Sequence, residues 1–310
     1  MIDLKELTPN VIDPSLRGKI FWFYGEPSTR KTSVASKFPD ALLVATERGY
    51  KFINGVIAAD INSWNDMRQI YRQLKDDEIK NKFKTIVFDR ADTLYDYCKE
   101  YICKTNGISD LGELAYSQGY TKARKEFNSI IKGIEGLGYG MVFITHDKVD
   151  MEKVTKQDLE NNAAKVLRGY ADFIFLLRKE SINDRDTVVA YSQILGADSK
   201  SRPRYFAPQF EFTFDNLQDE LKKSIDKQIE MEGIEVRVQE TKKTEERDFE
   251  SLRNDVIALY SNFAAAEHSA LPDIQAVIQT QMQGVPVSKA NESFYDQLLT
   301  IETYMLGIDD

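Results

Sequence analysis

Two patterns of apolar residues alternate along the first part of the chain. Short apolar runs, typical of buried strands, alternate with segments whose apolar positions recur every three or four residues, as on one face of a helix. This alternation predicts an α/β fold with a doubly wound, mostly parallel sheet, whose ligand lies at the carboxyl ends of the strands. The predicted strands are Lys19–Tyr24, Ala41–Thr46, Thr85–Phe88 and Gly140–Thr145, and the predicted helices cover about 31–38, 64–74, 92–104 and 119–135.

The pattern changes after the fourth strand and again after Asp215. Residues 216–248 begin with helical spacing and continue into a charged stretch poor in apolar residues, which predicts a helix followed by a linker. Residues 249–310 hold three helical patterns, which predict a small helical module. The core domain is therefore predicted over 1–215. Its three remaining strand-like runs are Ala171–Leu177, Thr187–Leu195 and Phe210–Phe214.

The first predicted strand leads into a candidate phosphate-binding loop. The segment Gly25-Glu-Pro-Ser-Thr-Arg-Lys-Thr-Ser33 matches the pattern G-x-x-x-x-G-K-[ST] except at Arg30. A strand before such a loop and a helix after it direct backbone N–H groups at a polyphosphate. In this pattern the lysine, here Lys31, reaches the β- and γ-phosphates, and the hydroxyl of Thr32 holds Mg²⁺. The predicted phosphate-binding residues are Gly25, Ser28, Thr29, Arg30, Lys31, Thr32 and Ser33.

Arg30 stands where the pattern has its last glycine. Glycine allows the backbone to approach the phosphates without a Cβ in the way. We therefore expect Arg30 to keep a negative φ and to point its side chain outward. We also expect slow hydrolysis of the bound nucleotide. The Arg30 side chain could contact a phosphate or a neighbouring subunit.

Two carboxylates follow predicted strands. Asp89 directly follows the third predicted strand, Thr85–Phe88. A carboxylate there accompanies the loop threonine at Mg²⁺, although apolar strands also end in aspartate as a turn residue. Glu47 ends the second strand, which we expect to adjoin the loop strand. There it could orient and deprotonate an attacking water, or it could be a solvated acid beside Arg48.

Polar residues also end or follow later strands. His146 follows the fourth strand, where a polar side chain can sense the γ-phosphate or simply cap a loop. Lys200, Arg202 and Arg204 lie in a turn between the last two predicted strands. Such cations could reach a neighbouring subunit's γ-phosphate, contact nucleic acid, or face solvent. A guanine-reading N-K-x-D motif is absent from the sequence, which argues against a GTPase.

Composition limits the class of protein. Hydrophobic residues make up 42% and charged residues 29%, as in globular proteins, and no apolar run approaches the length of a membrane span. The two cysteines, Cys98 and Cys103, have no neighbouring cysteine or histidine partners, so we expect a reducing cytoplasm, no disulfide and no zinc. Residues 1–214 carry 32 basic and 30 acidic side chains, whereas residues 215–310 carry 9 and 20. The acidic excess therefore belongs to the C-terminal part.

The order of these motifs resembles the core of RecA-type ATPases, specifically the phage-encoded AAA-type nucleotide-binding proteins, some of which act in single-strand annealing and recombination. The resemblance covers about residues 15–215 and implies a RecA-like P-loop NTPase core with ATP and Mg²⁺ as ligands. It implies that Glu47 is the catalytic base and His146 the γ-phosphate sensor. It also implies a ring or filament in which Lys200 and Arg202 complete a neighbour's site. Beyond the loop and Asp89, it rests on residues 42–50, 142–146, 163–172 and 199–202.

The DNA-binding loops of RecA-like proteins correspond to Thr105–Thr121 and Asp147–Lys165. The first holds Tyr116 and Tyr120, which could stack on bases or serve as packing residues. The second has nearly balanced charge. DNA binding is thus implied by the resemblance.

The sequence therefore predicts an ATP- and Mg²⁺-dependent ATPase that acts on single-stranded DNA in phage recombination, annealing or replication, in the cytoplasm of a bacterial host. The alternative is a nucleotide-switched interaction module that recruits or loads a replication partner through its acidic C-terminal part, with little DNA contact. A small-molecule kinase is less favoured, because the sequence has no lid-like cluster of arginines.

Overall fold

The chain divides into two compact units, Met1–Arg237 and Val238–Asp310. The predicted linker after residue 235 lies outside the described residues. The computed structural model describes residues 12–149, 155–182, 184–232, 249–266, 268–282, 284–291, 294–306 and 308.

Strands and helices alternate in the first unit, as the apolar pattern predicts. Its described strands are β1 (Ile20–Gly25), β2 (Ala41–Ala45), β3 (Ile57–Asp60), β4 (Thr85–Asp89), β5 (Gly140–Thr145), β6 (Asp147–Val149), β7 (Thr155–Gln157), β8 (Phe173–Ile182), β9 (Arg185–Tyr191), β10 (Lys200–Ser201) and β11 (Gln209–Glu211). Its described helices are α1 (Lys31–Ala35), α2 (Trp64–Gln73), α3 (Asp77–Lys82), α4 (Ala91–Asn106), α5 (Gln118–Gly136), α6 (Asn161–Tyr170) and α7 (Phe214–Glu232).

Most of these strands form one sheet in the order β11-β9-β8-β1-β5-β4-β2-β3, with β10 also paired to β8. Strands β8, β1, β5, β4, β2 and β3 run parallel, whereas β9, β10 and β11 are antiparallel additions. The predicted doubly wound, mostly parallel sheet is therefore confirmed. The expectation that the Glu47 strand adjoins the loop strand is wrong, because β5 and β4 lie between β1 and β2.

Apolar side chains cover both faces of the sheet. On one face, Trp22 and Tyr24 of β1 pack with residues of α2, α4, α5 and α6. On the other face, Phe21 and Phe23 pack with residues of α1 and α7. The rings of Phe21 and Phe173 stack with centroids 4.6 Å apart, a geometry that adds to the free energy of burial. Helices on both faces leave the carboxyl edge of the parallel strands as the open part of the sheet.

Some predicted elements differ from the structure. The predicted strand over 210–214 is only β11, and Phe214 already begins α7. Helix α7 packs against the second sheet face through Leu217, Leu221 and Ile225, so it belongs to the first unit. The polar helix α3 and the short strands β3, β6, β7 and β10 were not predicted.

The second unit is helical within its described residues. It contains α8 (Phe249–Ala265), α9 (Leu271–Met282) and α10 (Tyr295–Leu306), in agreement with the three predicted helical patterns. Leu252, Ile274 and Ile301 belong to its separate hydrophobic core. No helix in the described part of the chain is long and apolar enough to cross a membrane.

Candidate functional site

The predicted phosphate-binding loop joins β1 to α1 at the carboxyl edge of the sheet. Gly25 has φ 150°, and a Cβ there would lie 2.2 Å from the carbonyl oxygen of Leu177 on β8. Only glycine fits such a close approach. Ser28 is exposed in the loop, whereas the side chain of Thr29 is buried and donates a hydrogen bond to the Glu26 carbonyl at 2.8 Å. Ser33 is the third residue of α1.

Arg30 differs from the expectation of a negative φ. Its φ is 60° and its ψ 17°, in the left-handed region that favours glycine, while its side chain is exposed as expected. The physical reason is that Arg30 is the N-cap of α1, where the loop must turn into the helix. The backbone therefore keeps a left-handed conformation at the motif's glycine position, although the residue there is arginine.

The side chain of Lys31 is folded into the loop. Its Nζ donates hydrogen bonds to the carbonyl oxygens of Gly25 at 2.7 Å and Glu26 at 2.8 Å, and to the hydroxyl of Thr29 at 3.1 Å. Burial lowers the pKa of Lys31 to about 8, although the carboxylates of Asp89 and Asp147 act in the opposite direction. The ammonium is thus held among oxygen acceptors that an incoming anion can replace.

Thr32 and Asp89 meet at this edge. The Thr32 hydroxyl donates to Oδ2 of Asp89 at 2.6 Å, and the Asp89 side chain is buried. Burial raises the pKa of Asp89, although the hydrogen bond from Thr32 and the charge of Lys31 oppose the shift. A hydroxyl and a carboxylate in contact are oxygen donors of the kind that Mg²⁺ prefers, so the donor set fits this ion.

Glu47 lies at the same edge of the sheet, but the strand before it pairs with β4 and not with β1. The Thr46 backbone N–H donates to the Asp89 carbonyl at 2.7 Å, which fixes the end of β2 beside the end of β4. The Glu47 side chain is half exposed, and its Oε2 lies 3.7 Å from Nη1 of Arg90. It also contributes to the electrostatic environment of Asp89 and Lys31.

Sequence reasoning missed Arg90 and Asp147. Arg90 directly follows Asp89, and its guanidinium pairs with both Glu47 and Asp92. Asp147 lies two residues beyond β5, and its carboxylate favours the charged form of Lys31. The signal for both was their position within two residues of the end of a buried parallel strand.

His146 lies between β5 and β6, next to the strand that carries the loop. The preceding residue, Thr145, accepts a hydrogen bond from Nε1 of Trp22 on β1 at 3.1 Å, which joins the two strand ends. Nδ1 of His146 is buried without a hydrogen-bond partner among the described residues. The hydrogen-bonding capacity of this ring nitrogen is thus unused among the described residues.

Lys200 and Arg202 lie away from the loop. Lys200 pairs with Ile174 on β8, whereas Gly25 of the loop pairs with Leu177, three residues further along that strand. The two pairing positions are therefore about 10 Å apart along β8. Its Nζ donates to the carbonyl oxygens of Arg168 and Ala171. Arg202 pairs with Asp172 at 2.6 Å, and Arg204 lies 3.8 Å from Glu232. The structure therefore does not bring these cations to the chain's own loop.

The two tyrosines of the first predicted DNA loop differ in burial. Tyr116 is 97% exposed, whereas Tyr120 packs against the hydrophobic core on the Trp22 face of the sheet. Tyr116 is thus available for an external contact, and Tyr120 is a packing residue. The second predicted DNA loop contains the paired strands β6 and β7, and residues 150–154 between them lie outside the described residues.

Comparisons with known proteins place these residues in context. The AAA domain family matches residues 17–207. The protein YorG, derived from the SPbeta prophage of Bacillus subtilis (strain 168) and uncharacterized, is 25% identical over 308 residues, which cover 94% of this chain and 93% of that protein. A KaiC-like protein from the archaeon Pyrococcus horikoshii is 16% identical and has a TM-score of 0.35, with 56% of this chain and 78% of that chain covered. The flagellar accessory protein FlaH from Methanocaldococcus jannaschii is 12% identical and has a TM-score of 0.39, with 64% and 85% covered.

The family match spans more than half of the chain and contains the whole candidate site, from the loop through Asp89 to Arg202. The family match confirms the AAA-type part of the resemblance predicted from the motifs. The sheet of the first unit and the helices of the second confirm the predicted α/β fold with C-terminal helices. The chain therefore belongs to the AAA domain family.

Proposed function

We propose that this protein is an ATPase that uses Mg²⁺ and acts on single-stranded DNA in phage recombination, annealing or replication, in the cytoplasm of a bacterial host. One observation carries the ATPase part. Lys31 is held among loop acceptors, while the neighbouring Thr32 hydroxyl contacts Asp89 at 2.6 Å. A cation for the phosphates and an oxygen pair for the metal thus lie side by side at the carboxyl edge.

The loop and the strand ends have separate roles in this proposal. The N–H groups of residues 28–33 and the Lys31 ammonium bind the phosphates, whose oxygens replace the acceptors that Lys31 now contacts. Thr32 and Asp89 hold Mg²⁺, which when bound neutralises charge that develops on the phosphates. The ring of His146 senses the γ-phosphate through its unpartnered Nδ1.

Glu47 is the proposed general base. Its carboxylate takes a proton from water as the water oxygen attacks the γ-phosphorus, and the bond to the bridging oxygen breaks to release ADP. The half-exposed position of Glu47 at the end of β2 gives water access to it. A Glu47→Gln variant should bind ATP and retain only a slow but measurable residual hydrolysis.

The DNA part of the proposal is supported by the surface at Tyr116. This exposed ring precedes the first turns of α5, where Lys122, Arg124 and Lys125 are also exposed. An exposed aromatic ring and exposed cations within one short stretch of chain suit single strands, since bases stack on rings while phosphates meet cations. Tyr116→Ala should weaken single-stranded DNA binding by about 1–3 kcal/mol for the lost stack, which is about 5-fold to 150-fold in affinity.

We propose further that copies of this chain assemble into a ring or filament. Arg202 is more than half exposed, so its guanidinium can reach a neighbouring copy's γ-phosphate by exchanging its partner Asp172. Lys200 would act beside it. If the site is completed between copies, the ATPase rate per protomer rises with protein concentration, and Arg202→Ala removes that rise.

The decisive experiment measures ATP hydrolysis by the full chain with and without single-stranded DNA. The proposal predicts stimulation by DNA, loss of all hydrolysis in Lys31→Ala, and loss of stimulation alone in Tyr116→Ala. Tyr304→Ala is the matched control, because Tyr304 is a partly exposed tyrosine of the second unit. ATP hydrolysis that DNA does not change would contradict the DNA part.

One observation favours the alternative of an interaction module. The second unit has its own hydrophobic core and an apolar groove between α8 and α9, lined by residues that include Ile257, Tyr260 and Ile278. In this second candidate function, the nucleotide-bound protein recruits a replication partner through its acidic helical part. ATP binding without any response to DNA, together with nucleotide-dependent capture of a phage replication protein, would favour it.

A further inference from the structure

Arg90 lies between two carboxylates at the carboxyl edge of the sheet. Its Nη1 is 3.7 Å from Oε2 of Glu47, and its Nε donates to Oδ1 of Asp92 at 3.2 Å. A second bond runs from its Nη2 to Oδ2 of Asp92. Because it directly follows Asp89, the guanidinium starts from the strand end that carries the candidate metal ligand.

The two contacts of Arg90 differ in strength. Asp92 accepts two hydrogen bonds in a bidentate pair, and both side chains are largely buried. Such pairs fix the plane of a guanidinium. The backbone adds a further constraint, because the Arg90 N–H donates to the Thr46 hydroxyl at 3.0 Å. Arg90 is therefore oriented by Asp92 and Thr46, without help from Glu47.

Glu47 lacks a comparable anchor. Its side chain is half exposed, and Arg90 is the one ion-pair partner that it has among the described residues. The adjacent cation, Arg48, is directed elsewhere, since its Nε contacts Oδ2 of Asp60 at 2.8 Å. The charge of Arg90 is thus the main attraction that orients the Glu47 side chain. Arg90 also contributes to the electrostatic environment of Lys31.

We propose that Arg90 is a positioning residue that draws the Glu47 carboxylate toward Lys31 and Asp89 instead of into solvent. The proposal rests on the proposed function, in which Glu47 is the base that takes the proton from water. Asp92 orients Arg90, Arg90 orients Glu47, and none of the contacts of Arg90 involves the loop. Arg90 therefore affects the hydrolysis step, with little effect on ATP affinity.

The test separates binding from turnover in the full chain. In Arg90→Gln, kcat should fall about 10-fold to 100-fold, the range for a reacting group displaced by about 1 Å, while the Kd for ATP changes less than about 3-fold. Asp92→Asn should lower kcat in the same direction but less, because Arg90 keeps its charge and loses its orientation. Arg90→Lys should recover part of the loss.

Arg48→Gln is the matched control, since it removes a cation next to Glu47 in sequence that is paired with Asp60. It should leave kcat within about 2-fold of the parent, because it lies outside the chain of contacts that orients Glu47. Equal effects of Arg48→Gln and Arg90→Gln would mean that general surface charge is responsible, and would overturn the inference. A loss of ATP affinity as large as the loss of kcat in Arg90→Gln would also overturn it.

A double-mutant cycle completes the test. In a Glu47→Gln background, Arg90→Gln should cause no further loss of kcat, because the two residues act on one step. Additive losses would overturn the inference. If the parent protein hydrolyses no ATP, the proposed function fails. If it hydrolyses ATP and Arg90→Gln is as fast, only the role of Arg90 fails. Tryptophan fluorescence confirms folding of each variant, since Trp22 and Trp64 are both buried in this unit.

Discussion

Arg30 offers a sharp test of the loop's backbone, because its strain and its side chain can be separated. The residue has φ 60° and ψ 17° at the start of α1, and its side chain is exposed. Arg30→Gly removes the Cβ that opposes this conformation. Arg30→Ala removes the same long side chain but keeps the Cβ.

The magnitude follows from two opposing effects. A residue other than glycine in the left-handed region costs about 1–2 kcal/mol, which glycine does not incur. Glycine also loses more conformational entropy on folding, by about 0.4–1 kcal/mol. Taking the middle of each range, about 1.5 kcal/mol less about 0.7 kcal/mol, we expect Arg30→Gly to be more stable than Arg30→Ala by about 0.8 kcal/mol. For a unit of this size that corresponds to a difference of about 1–4 °C in Tm.

The assay is thermal and urea unfolding of the full chain followed by tryptophan fluorescence. Both tryptophans, Trp22 and Trp64, are buried in the first unit, so the signal reports unfolding of the unit that holds Arg30. Ser28, whose φ is 64°, provides a second comparison. The free energy of unfolding of Ser28→Gly should exceed that of Ser28→Ala by a similar amount.

Equal stabilities of the glycine and alanine variants at position 30 would refute the left-handed conformation of Arg30. A less stable glycine variant would do so more strongly. If both variants were less stable than the parent by the same amount, the arginine side chain would be making a stabilising contact that its exposure does not suggest.

Three further predictions concern the same edge of the sheet. Gly25→Ala should destabilise the first unit by about 1–3 kcal/mol or prevent folding, since the new Cβ would lie 2.2 Å from the Leu177 carbonyl oxygen; urea unfolding measures this. Burial lowers the pKa of Lys31 to about 8, so ATP binding at pH 8 should take up about half a proton. ATP affinity should then fall as the pH rises above 8. Calorimetry in buffers of different ionisation enthalpy measures the proton uptake and the affinity. Thr32→Val removes the hydroxyl that contacts Asp89. It should reduce the gain in ATP affinity that Mg²⁺ provides by about 10-fold or more, with little effect on metal-free binding. Titrations with ATP in the presence of Mg²⁺ and of EDTA measure the affinity with and without the metal.

The sequence was sufficient for the parallel sheet and for the loop, because both leave strong local signals. Buried strands such as Phe21 to Tyr24 read as continuous apolar runs, and the segment from Gly25 to Ser33 combines a motif with its strand and helix context. The predicted helix over 64–74 begins as a polar cap residue allows, since the side chain of Ser63 accepts a hydrogen bond from the Asp66 N–H.

Long-range order was not predictable in the same way. The strand that precedes Glu47 had the apolar pattern of a sheet neighbour of β1, but pattern alone does not specify strand order, and two strands intervene. The end of the core was placed too early, because the helical spacing at Leu217 and Leu221 does not say which surface that helix covers. The backbone of Arg30 was mispredicted because the preference of the residue yields here to the turn that the loop requires.

Arg90 shows a further limit. Its position after Asp89 was visible, but its two partners lie in different elements, Glu47 beyond β2 and Asp92 in α4. Only the three-dimensional arrangement shows that one guanidinium joins them. Lys200 and Arg202 illustrate a related limit, since their predicted role at a neighbouring copy's site stays a prediction, and within the chain they contact the Arg168 carbonyl and Asp172.

Calorimetric titration of the full chain with ATP and Mg²⁺ tests the central claim most directly, namely that the loop from Gly25 to Thr32 binds a triphosphate. The account predicts saturable binding at one site per chain, weakened at least about 10-fold in Lys31→Ala through loss of a charge-assisted phosphate contact. It also predicts that Lys289→Ala, a lysine of the second unit, binds as the parent does. Absence of binding by the parent chain, or equal binding by Lys31→Ala, would contradict the account.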